Sequence, residues 1–309
     1  MLAINPLALI TNAAAENYPA HTVRFILPFG AASATDITAR LFADRLTARW
    51  GKPVVIENRP GGDGLVSVSA FLGANDDHTL LFGPAGTFAL HRYDANKPPY
   101  DADRDLAPIA SVSNIILALS VSAALKINSV AELVALARAQ PGKLNAAAAS
   151  GISDFLLFGF FKSSGLQVAK VPYRDILQAP NDLAEGRIDV LMTSLAVVQA
   201  QMQAGSVNVL AVTSRERPPT APQLATVAQA GFPGLEMESL VGLFGPRAMS
   251  NTVRDRIAAD IADVFDPAIA TRLAATGQIV RILGPAQFAA GIEAQRAKLA
   301  EIAKTLGIR

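Results

Sequence analysis

The residues best suited to chemistry in this chain are small ones that follow three apolar segments near its start. VRFILPF (23–29) runs into GAASATD, PVVIEN (53–58) into RPGGDG, and HTLLF (78–82) into GPAGT. Helical patterns follow these loops. Backbone N–H groups at the start of a helix, unobstructed by large side chains, suit a negatively charged ligand. The spacing therefore predicts a small-ligand site built largely from loop backbone.

The elements that must position these loops are alternating strands and helices. In an open α/β sheet, ligands bind outside the carboxyl ends of the strands, where such loops collect. A second series of strand–helix units follows, with Ser129 as the cap of the helix VAELVALARAQ and with KLNAAAAS, QVAKVPY and RIDVLMTS as strands. The fold class is α/β, and 309 residues indicate two α/β domains or one large one. The segment between the two series, HRYDANKPPYDADRDLAPI, is predicted to cross the surface.

Composition argues against several functions. Basic residues number 27 and acidic residues 26, without a run of five like charges, so a nucleic-acid partner is not expected. Cysteine is absent, which excludes thiol nucleophiles and thiolate metal sites. His21, His78 and His91 are too scattered for a metal site or a Ser–His–acid arrangement, and we expect them to be solvated or to cap elements. The GPAGT turn lacks the lysine of a phosphate-binding P-loop. We therefore expect no metal, no cofactor and no enzymatic activity.

Residues 1–16, MLAINPLALITNAAAE, carry an apolar run and a small-residue end suited to signal-peptidase cleavage, but no Lys or Arg. They are interpreted as an incomplete secretory signal, a mis-assigned start or a disordered tail. The first interpretation predicts export to the periplasm.

Several blocks of sequence together resemble one family. YPAHTVRFILPFGAASATDITARLFADRL, GKPVVIENRPGGDG, VPYRD, DLAEGRIDVLM and LAVTSRERPPTAPQLATVAQAGFPG are similar, in order and spacing, to the substrate-binding proteins of tripartite tricarboxylate transporters, also called Bordetella uptake gene receptors. The resemblance runs from about Tyr18 to the C-terminus.

The resemblance implies a two-domain periplasmic-binding-protein fold of type II character, with a ligand cleft between lobes that close by hinge motion. The first domain would comprise residues 17–110 and 238–309, and the inserted second domain residues 111–237. Members capture small carboxylated solutes as monomers and deliver them to integral membrane subunits of a tripartite transporter. A sensor kinase is a further expected partner.

In the first lobe, the resemblance implies ligand contacts at two loops. The first has the sequence PFGAASATD where the family has a PFPPGGATD-like loop, and the second has GPAGT where the family has a GTSGT-like turn. Ser33 and Asp36 also fit a helix N-cap and its third helical position, so Asp36 has a capping interpretation beside the ligand-binding one. Asn58 and Arg59 are interpreted mainly as loop-fixing. The implied ligand-binding residues are Phe29, Gly30, Ala31, Ala32, Ser33, Asp36, Ala85, Gly86 and Thr87.

In the second lobe, the implied ligand-binding residues are Ser150, Ser153, Asp154, Arg174, Thr193 and Ser194. Asp154 stands where relatives tend to have serine, and Phe155 where they often have histidine. A carboxylate here repels a carboxylated ligand unless a cation or proton intervenes, so a ligand with an amino-bearing, apolar or aromatic end would suit the change. Arg174 either binds ligand or pairs with Asp154 or Asp175.

Two functions follow from these residues. The first is a periplasmic receptor for a small carboxylated metabolite, which is a dicarboxylate, an aromatic acid or an amino-bearing acid. The alternative is an interaction protein with a degenerate ligand site that acts on a membrane sensor or transporter.

Overall fold

The computed structural model describes residues 18–93, 98, 100–149, 151–173 and 176–308. The chain forms two compact units. The first unit contains residues up to Ser113 together with Leu240–Leu273 and Val280–Glu293, and the second contains Asn114–Ser239, Ala274–Ile279 and Ala294–Arg309. These units are defined by packing and not by independent folding. The domain boundaries expected from the sequence therefore stay a prediction.

A mixed six-stranded sheet forms the centre of the first unit, in the order β11-β4-β10-β3-β1-β2. Strand β1 pairs in parallel with β2 and β3, whereas β10 runs antiparallel to β3. The carboxyl ends of β1, β2 and β3 therefore share one edge, as the loop pattern predicts. The strands are β1 (Val23–Leu27), β2 (Val54–Asn58), β3 (Thr79–Pro84), β4 (Leu106–Ile115), β10 (Ser239–Pro246) and β11 (Gln278–Leu283).

Helices of the first unit begin where local capping chemistry allows. The first helix starts after Ser33, whose hydroxyl accepts a hydrogen bond from the Asp36 N–H, and it ends at Gly51 in the left-handed region. The helices are α1 (Ala34–Trp50), α2 (Leu65–Ala74), α3 (Ala85–Leu90), α4 (Ala102–Asp105), α9 (Asn251–Asp263), α10 (Pro267–Ala275) and the first part of α11 (Pro285–Leu306).

The core of the first unit is aromatic at its centre. Phe244 packs edge-on against Phe88, with ring centroids 5.4 Å apart, and against Phe288 at 5.2 Å. Buried Ile26 and Leu81 from the parallel strands belong to the same cluster. This core fixes the strands whose ends carry the loops.

The second unit has a five-stranded sheet in the order β7-β6-β8-β5-β9. Strand β6 pairs in parallel with β7 and β8, whereas β5 runs antiparallel to β8 and β9. The strands are β5 (Leu117–Ser122), β6 (Asn145–Ala148), β7 (Ala169–Lys170), β8 (Val190–Ser194) and β9 (Val207–Val212), and the helices are α5 (Val130–Ala139), α6 (Ile152–Ser163), α7 (Ala179–Ala184), α8 (Leu195–Gln203) and the end of α11.

Two predictions about local structure are wrong. The expected strand QVAKVPY is reduced to the two residues of β7, because β7 lies at a sheet edge and only Ala169 and Lys170 pair with β6. The expected surface connection contains buried His91, Tyr100 and Leu106.

Two of the three histidines are buried instead of solvated. His78 is buried and its Nε2 accepts a hydrogen bond from the Ala20 N–H, while its Nδ1 lies 2.6 Å from an Asp77 carboxylate oxygen. His91 is buried as well, so hydrogen bonding within the protein replaces the solvation that scattered histidines suggest. Only His21 is exposed among the three.

Candidate functional site

The loop after β1 is exposed, and hydrogen bonds within it fix its conformation. Gly30, Ala31 and Ala32 are exposed, and Ala32 has a positive φ of 64°. The Ala32 N–H donates to Asp36 Oδ2 at 2.9 Å, and the Asp36 N–H donates to Ser33 Oγ at 3.2 Å. These two bonds fix the turn that leads into α1, so that the start of this 17-residue helix lies beside exposed small residues.

Asp36 is buried and its carboxylate is fully engaged within the protein. Arg40 donates to both carboxylate oxygens at 3.0 Å, and Asn58 Nδ2 donates to Oδ1 at 2.9 Å. Burial alone would raise the pKa of Asp36, but the hydrogen bonds from Arg40, Asn58 and the Ala32 N–H outweigh it, so its pKa is lowered. These contacts support the capping interpretation of Asp36, and a ligand role for it stays a prediction.

Asn58, at the end of β2, ties the second loop to the first. Its side chain donates to the Phe29 carbonyl oxygen at 2.9 Å as well as to Asp36. Arg59 pairs with Glu57 at 3.2 Å, and its N–H donates to the Leu27 carbonyl oxygen. Both residues make the loop-fixing contacts expected of them.

The three small-residue loops of the first unit meet at Gly64. A β-carbon at this position would lie 3.3 Å from Pro28 Cβ and 3.3 Å from Thr87 Cγ2, and Gly64 has a φ of 102°. Neither the close approach nor the backbone conformation suits another residue. Glycine here therefore allows the loops after β1, β2 and β3 to pack against one another.

A buried histidine supports this junction. His91 Nε2 lies 2.9 Å from the Asp63 carbonyl oxygen, and Nδ1 lies 2.5 Å from the Tyr100 hydroxyl. Since a carbonyl oxygen only accepts, Nε2 carries a proton and donates a hydrogen bond to the Asp63 carbonyl oxygen. Asp63 itself has a positive φ of 50°, so His91 holds a strained turn in place. This role of His91 could not be predicted from the sequence, because Asp63 and His91 are far apart in the chain.

The loop after β3 offers a half-buried hydroxyl. Thr87 lies in the first turn of α3, whereas Ala85 and Gly86 are buried. A β-carbon at Gly83 would lie 2.9 Å from Phe88 Cζ and 3.2 Å from Pro28, so the end of β3 needs glycine. Thr87 is thus the side chain of this loop with a hydroxyl to offer.

In the second unit, the candidate hydroxyls cluster at the carboxyl ends of two neighbouring parallel strands. The Ala149 N–H donates to the Met192 carbonyl oxygen at 3.0 Å, which brings the end of β6 beside Thr193. Ser153 in the first turn of α6 is 4% exposed and Thr193 is 2% exposed, and neither hydroxyl is hydrogen-bonded to another described residue. Ser194 precedes α8 without capping it through its side chain. Buried hydroxyls of this kind are suited to bond a ligand.

Asp154 has a cation of the protein itself as its partner. Lys170 Nζ lies 2.6 Å from Oδ1 and 2.7 Å from Oδ2 of Asp154, and it also lies 4.9 Å from the centroid of the Phe158 ring. Arg174 was the partner considered from the sequence, and Lys170 was not expected. The two residues Asp154 and Lys170 are 16 positions apart in the sequence, and their contact depends on the pairing of β7 with β6, which local patterns do not show.

The predicted site residues thus form one group in each unit. Phe29–Ser33, Asp36 and Ala85–Thr87 belong to the first, and Ser153, Asp154, Thr193 and Ser194 belong to the second. Ser150 and Arg174 lie outside the described residues, as does Asp175. Within the described part of the chain, no group of three or more His, Asp or Glu side chains is placed to hold a metal ion.

One further observation concerns the membrane. Among the described helices, none has both the length and the apolar character needed to cross a bilayer.

Comparison with known proteins gives consistent results. The family model described as tripartite tricarboxylate transporter family receptor (TctC) matches residues 38–308. A relative from Pseudomonas sp. (strain P51), the UPF0065 protein of the tcbD-tcbE intergenic region, is 30% identical over 250 residues, which are 80% of this chain and 74% of the relative.

Solved structures of related proteins have the same fold. The R. palustris protein Rpa4515, solved with adipate, has a TM-score of 0.80 and 29% identity over 94% of this chain and 99% of its own. The periplasmic binding protein BugD has a TM-score of 0.76 and 25% identity, covering 94% and 99%. The α/β periplasmic-binding-protein fold expected from the resemblance is confirmed, and the chain belongs to the tripartite tricarboxylate transporter receptor family.

Proposed function

We propose that this protein is a periplasmic receptor that binds a small carboxylated metabolite and delivers it to the integral membrane subunits of a tripartite tricarboxylate-type transporter. The observation that carries the proposal is the junction of three small-residue loops at Gly64, in a chain that belongs to a receptor family. The protein performs no chemistry on its ligand in this role.

The donors in the first unit suit one carboxylate group. The exposed backbone of Gly30–Ala32 leads into the N-terminus of α1, where N–H groups and the helix dipole favour negative charge. Thr87 adds a hydroxyl from the neighbouring loop. Asp36, although close in sequence, is neutralised by Arg40 and does not oppose an anion there.

The donors in the second unit suit a polar group of the same ligand. Ser153 and Thr193 supply buried hydroxyls near the ends of neighbouring strands, and Ser194 supplies a half-buried one. The adipate in the structure of Rpa4515 is a six-carbon dicarboxylate, and it indicates the size of solute to test first. We expect capture to involve closure of the two domains, which small-angle X-ray scattering with and without ligand would measure.

A thermal-shift screen of the purified protein tests the proposal. The panel contains dicarboxylates, tricarboxylates, aromatic acids and amino acids. A ligand that binds only the folded state adds about 2.7 kcal/mol at 100 times its Kd, which raises the melting temperature by several degrees. Ser153→Ala and Thr87→Val each weaken binding about tenfold, the effect of one lost hydrogen bond.

The contrary result is equally informative. No shift with any acid, in protein shown to be folded and free of retained ligand, contradicts the receptor function. Retained binding to a membrane sensor or transporter under those conditions would favour the interaction protein with a degenerate ligand site.

A further inference from the structure

We propose that the Asp154–Lys170 ion pair sets the charge of the ligand that this protein accepts, and that the pair selects a monoanion. Such a ligand has one carboxylate and an uncharged far end. This inference rests on the proposed receptor function and names the substrate class within it.

The position of the pair places it next to the candidate hydroxyls of the second unit. Asp154 follows Ser153 directly, in the first turn of α6. Lys170 extends from β7, which pairs with β6 through Ala146 and Lys170. Asp154 therefore lies in the same helical turn as Ser153, and Lys170 lies on the strand that pairs with β6.

Both charges remain partly open to solvent. The Asp154 side chain is 26% exposed and the Lys170 side chain is 52% exposed. The ring of Phe158, one helical turn after Asp154, also contacts the Lys170 ammonium. Two attractive contacts hold Lys170 in place, so its charge is fixed beside the carboxylate instead of extending freely into solvent.

Among the candidate residues that the structure describes, the charges cancel in each unit. In the first unit Arg40 neutralises Asp36, and in the second Lys170 neutralises Asp154. One carboxylate can bind the N–H groups at the start of α1, but a second carboxylate would meet no net positive charge.

Pairing with Lys170 also changes which ligand groups the Asp154 carboxylate favours. Considered alone, this carboxylate favours a ligand with an amino group, because it repels a carboxylate and attracts a cation. Lys170 already occupies the place of that cation. The ammonium of a ligand would have to displace Lys170, and a ligand carboxylate would have to displace Asp154.

The test compares three acids of similar length that differ in the charge of one end. Adipate carries a second carboxylate, its monoamide adipamate carries a neutral amide, and 6-aminohexanoate carries an ammonium. Isothermal titration calorimetry measures their Kd values for the wild-type protein, Asp154→Asn, Lys170→Met and the double variant. The wild-type protein prefers adipamate.

Each single substitution leaves one charge unpaired. The sign of that charge decides which of the three acids binds more tightly than in the wild-type protein. Asp154→Asn leaves Lys170 unpaired and improves adipate relative to adipamate by about tenfold. Lys170→Met leaves Asp154 unpaired and improves 6-aminohexanoate relative to adipamate by about tenfold. The double variant returns both ratios to within about threefold of wild type, and high salt reduces the single-variant shifts.

A matched control separates local from overall charge. Glu216→Gln changes the net charge of the same unit as Asp154→Asn does, at an exposed side chain, and leaves both ratios unchanged. Circular dichroism establishes that every variant is folded.

The outcomes distinguish the two proposals. If the wild-type protein binds any of the three acids but Asp154→Asn and Lys170→Met leave the ratios unmoved, the ion pair does not select charge and the receptor function stands. A wild-type preference for adipate over adipamate also overturns the monoanion assignment. If no folded variant binds any of the three acids, this inference is overturned, whereas the receptor function is decided by the wider acid panel of the thermal-shift screen.

Discussion

At the residue scale, the cation that each carboxylate contacts in the folded protein decides what that carboxylate can do. Asp36 and Asp154 both follow small-residue loops, and both are candidate ligand residues. The structure gives each a cation, Arg40 and Lys170 respectively. Asp36 is buried and takes four hydrogen bonds, whereas Asp154 remains partly exposed beside free hydroxyls. Asp36 therefore supports the loop, and Asp154 is the carboxylate for which we propose an influence on the ligand.

We predict that Asp36→Asn lowers the free energy of unfolding by about 2 kcal/mol, because a buried charge-assisted network loses its anion. The pKa of Asp36 is lowered in the folded protein. Its stabilising contribution is thus present above the unfolded-state pKa of about 3.9 and is lost as the pH falls through the lower folded-state pKa. Urea denaturation at pH 7 and at pH 3.5 measures both effects.

Asp44→Asn is the matched control for that experiment, since Asp44 is an exposed residue of the same helix. It changes stability by less than about 0.5 kcal/mol. An Asp36→Asn variant as stable as the control would show that the loop does not depend on the carboxylate.

At the element scale, a buried carboxylate joins two helices of the first unit. Asp260 of α9 is fully buried and accepts hydrogen bonds from Arg49 at 2.5 Å, Trp50 at 2.8 Å and Arg256 at 2.9 Å. Arg49 and Trp50 are the last residues of α1. Asp260 therefore fixes the end of the helix whose beginning carries the proposed anion-binding N–H groups.

We predict that Asp260→Asn lowers the free energy of unfolding by about 2 kcal/mol at pH 7. Burial alone would raise the pKa of Asp260, but the bonds from Trp50, Arg49 and Arg256 outweigh it, and the pKa is lowered. The loss in the variant therefore shrinks below about pH 3.9, as the wild-type carboxylate becomes protonated. Thermal denaturation across pH 3 to 7 measures this convergence.

Asp263→Asn serves as its control, because Asp263 also pairs with Arg49 but is 58% exposed. Exposed ion pairs contribute little, and a loss below about 0.5 kcal/mol is expected. Equal losses in the two variants would mean that burial of Asp260 is not what makes it important.

A second prediction at the element scale concerns the packing of α6 on α11 in the second unit. A β-carbon at Gly159 would lie 2.5 Å from Ile302 Cγ2, so Gly159→Ala overpacks the contact and costs about 1–3 kcal/mol. Ile302→Ala removes the clashing methyl group. In the double variant the costs are less than additive, with a coupling of about 1 kcal/mol measured by urea denaturation.

The control is a glycine in a helix without such a neighbour. Gly73 of α2 has no atom within 4 Å of its would-be β-carbon, and Gly73→Ala raises stability by about 0.5–1 kcal/mol. Strictly additive costs at Gly159 and Ile302 would contradict the close approach of the helices.

At the same scale, the features that could be predicted from the sequence are those that depend on residues close together in the chain. Helix starts depend on contacts three residues apart, so Ser33 and Ser129 are correctly predicted as caps, each accepting from the N–H three residues on. The small-residue loops and the α/β order are local patterns as well. The pair of Asp154 with Lys170 depends on which strands pair and in what register, and a single sequence does not state that.

Local sequence patterns also did not predict which residues of irregular segments are buried. His91 and Tyr100 lie in a stretch without helical or strand periodicity, yet they are buried because their polar atoms bond to each other and to the Asp63 and Phe88 carbonyl oxygens. Periodicity detects apolar faces and not polar groups that satisfy one another. For this reason the support of the Gly64 junction by His91 was missed.

At the scale of the whole molecule, the family and the fold were predictable because several blocks of sequence occur together in one order. The roles of individual site residues were not, since the loops that carry them depart from the family pattern at Ala31, Ala32, Asp154 and Phe155. The structure assigns the candidate residues to two units, and each unit brings its own donors. Because the candidate residues are divided in this way, we can predict which backbone amides a bound ligand protects from hydrogen exchange.

We predict that a bound acid slows amide hydrogen exchange at helix starts in both units. The affected segments are residues 30–36 and 85–87 in the first unit and residues 151–154 and 193–195 in the second, because these carry the proposed donors. At 100 times the Kd, protection reaches about 100-fold where exchange requires release of the ligand. Helix α9, which carries no candidate donor, gains less. Hydrogen–deuterium exchange with mass spectrometry, with the best acid from the screen, measures each segment separately. Protection confined to one unit would mean that the ligand is held by that unit alone, and the donors assigned to the other would have no part in binding.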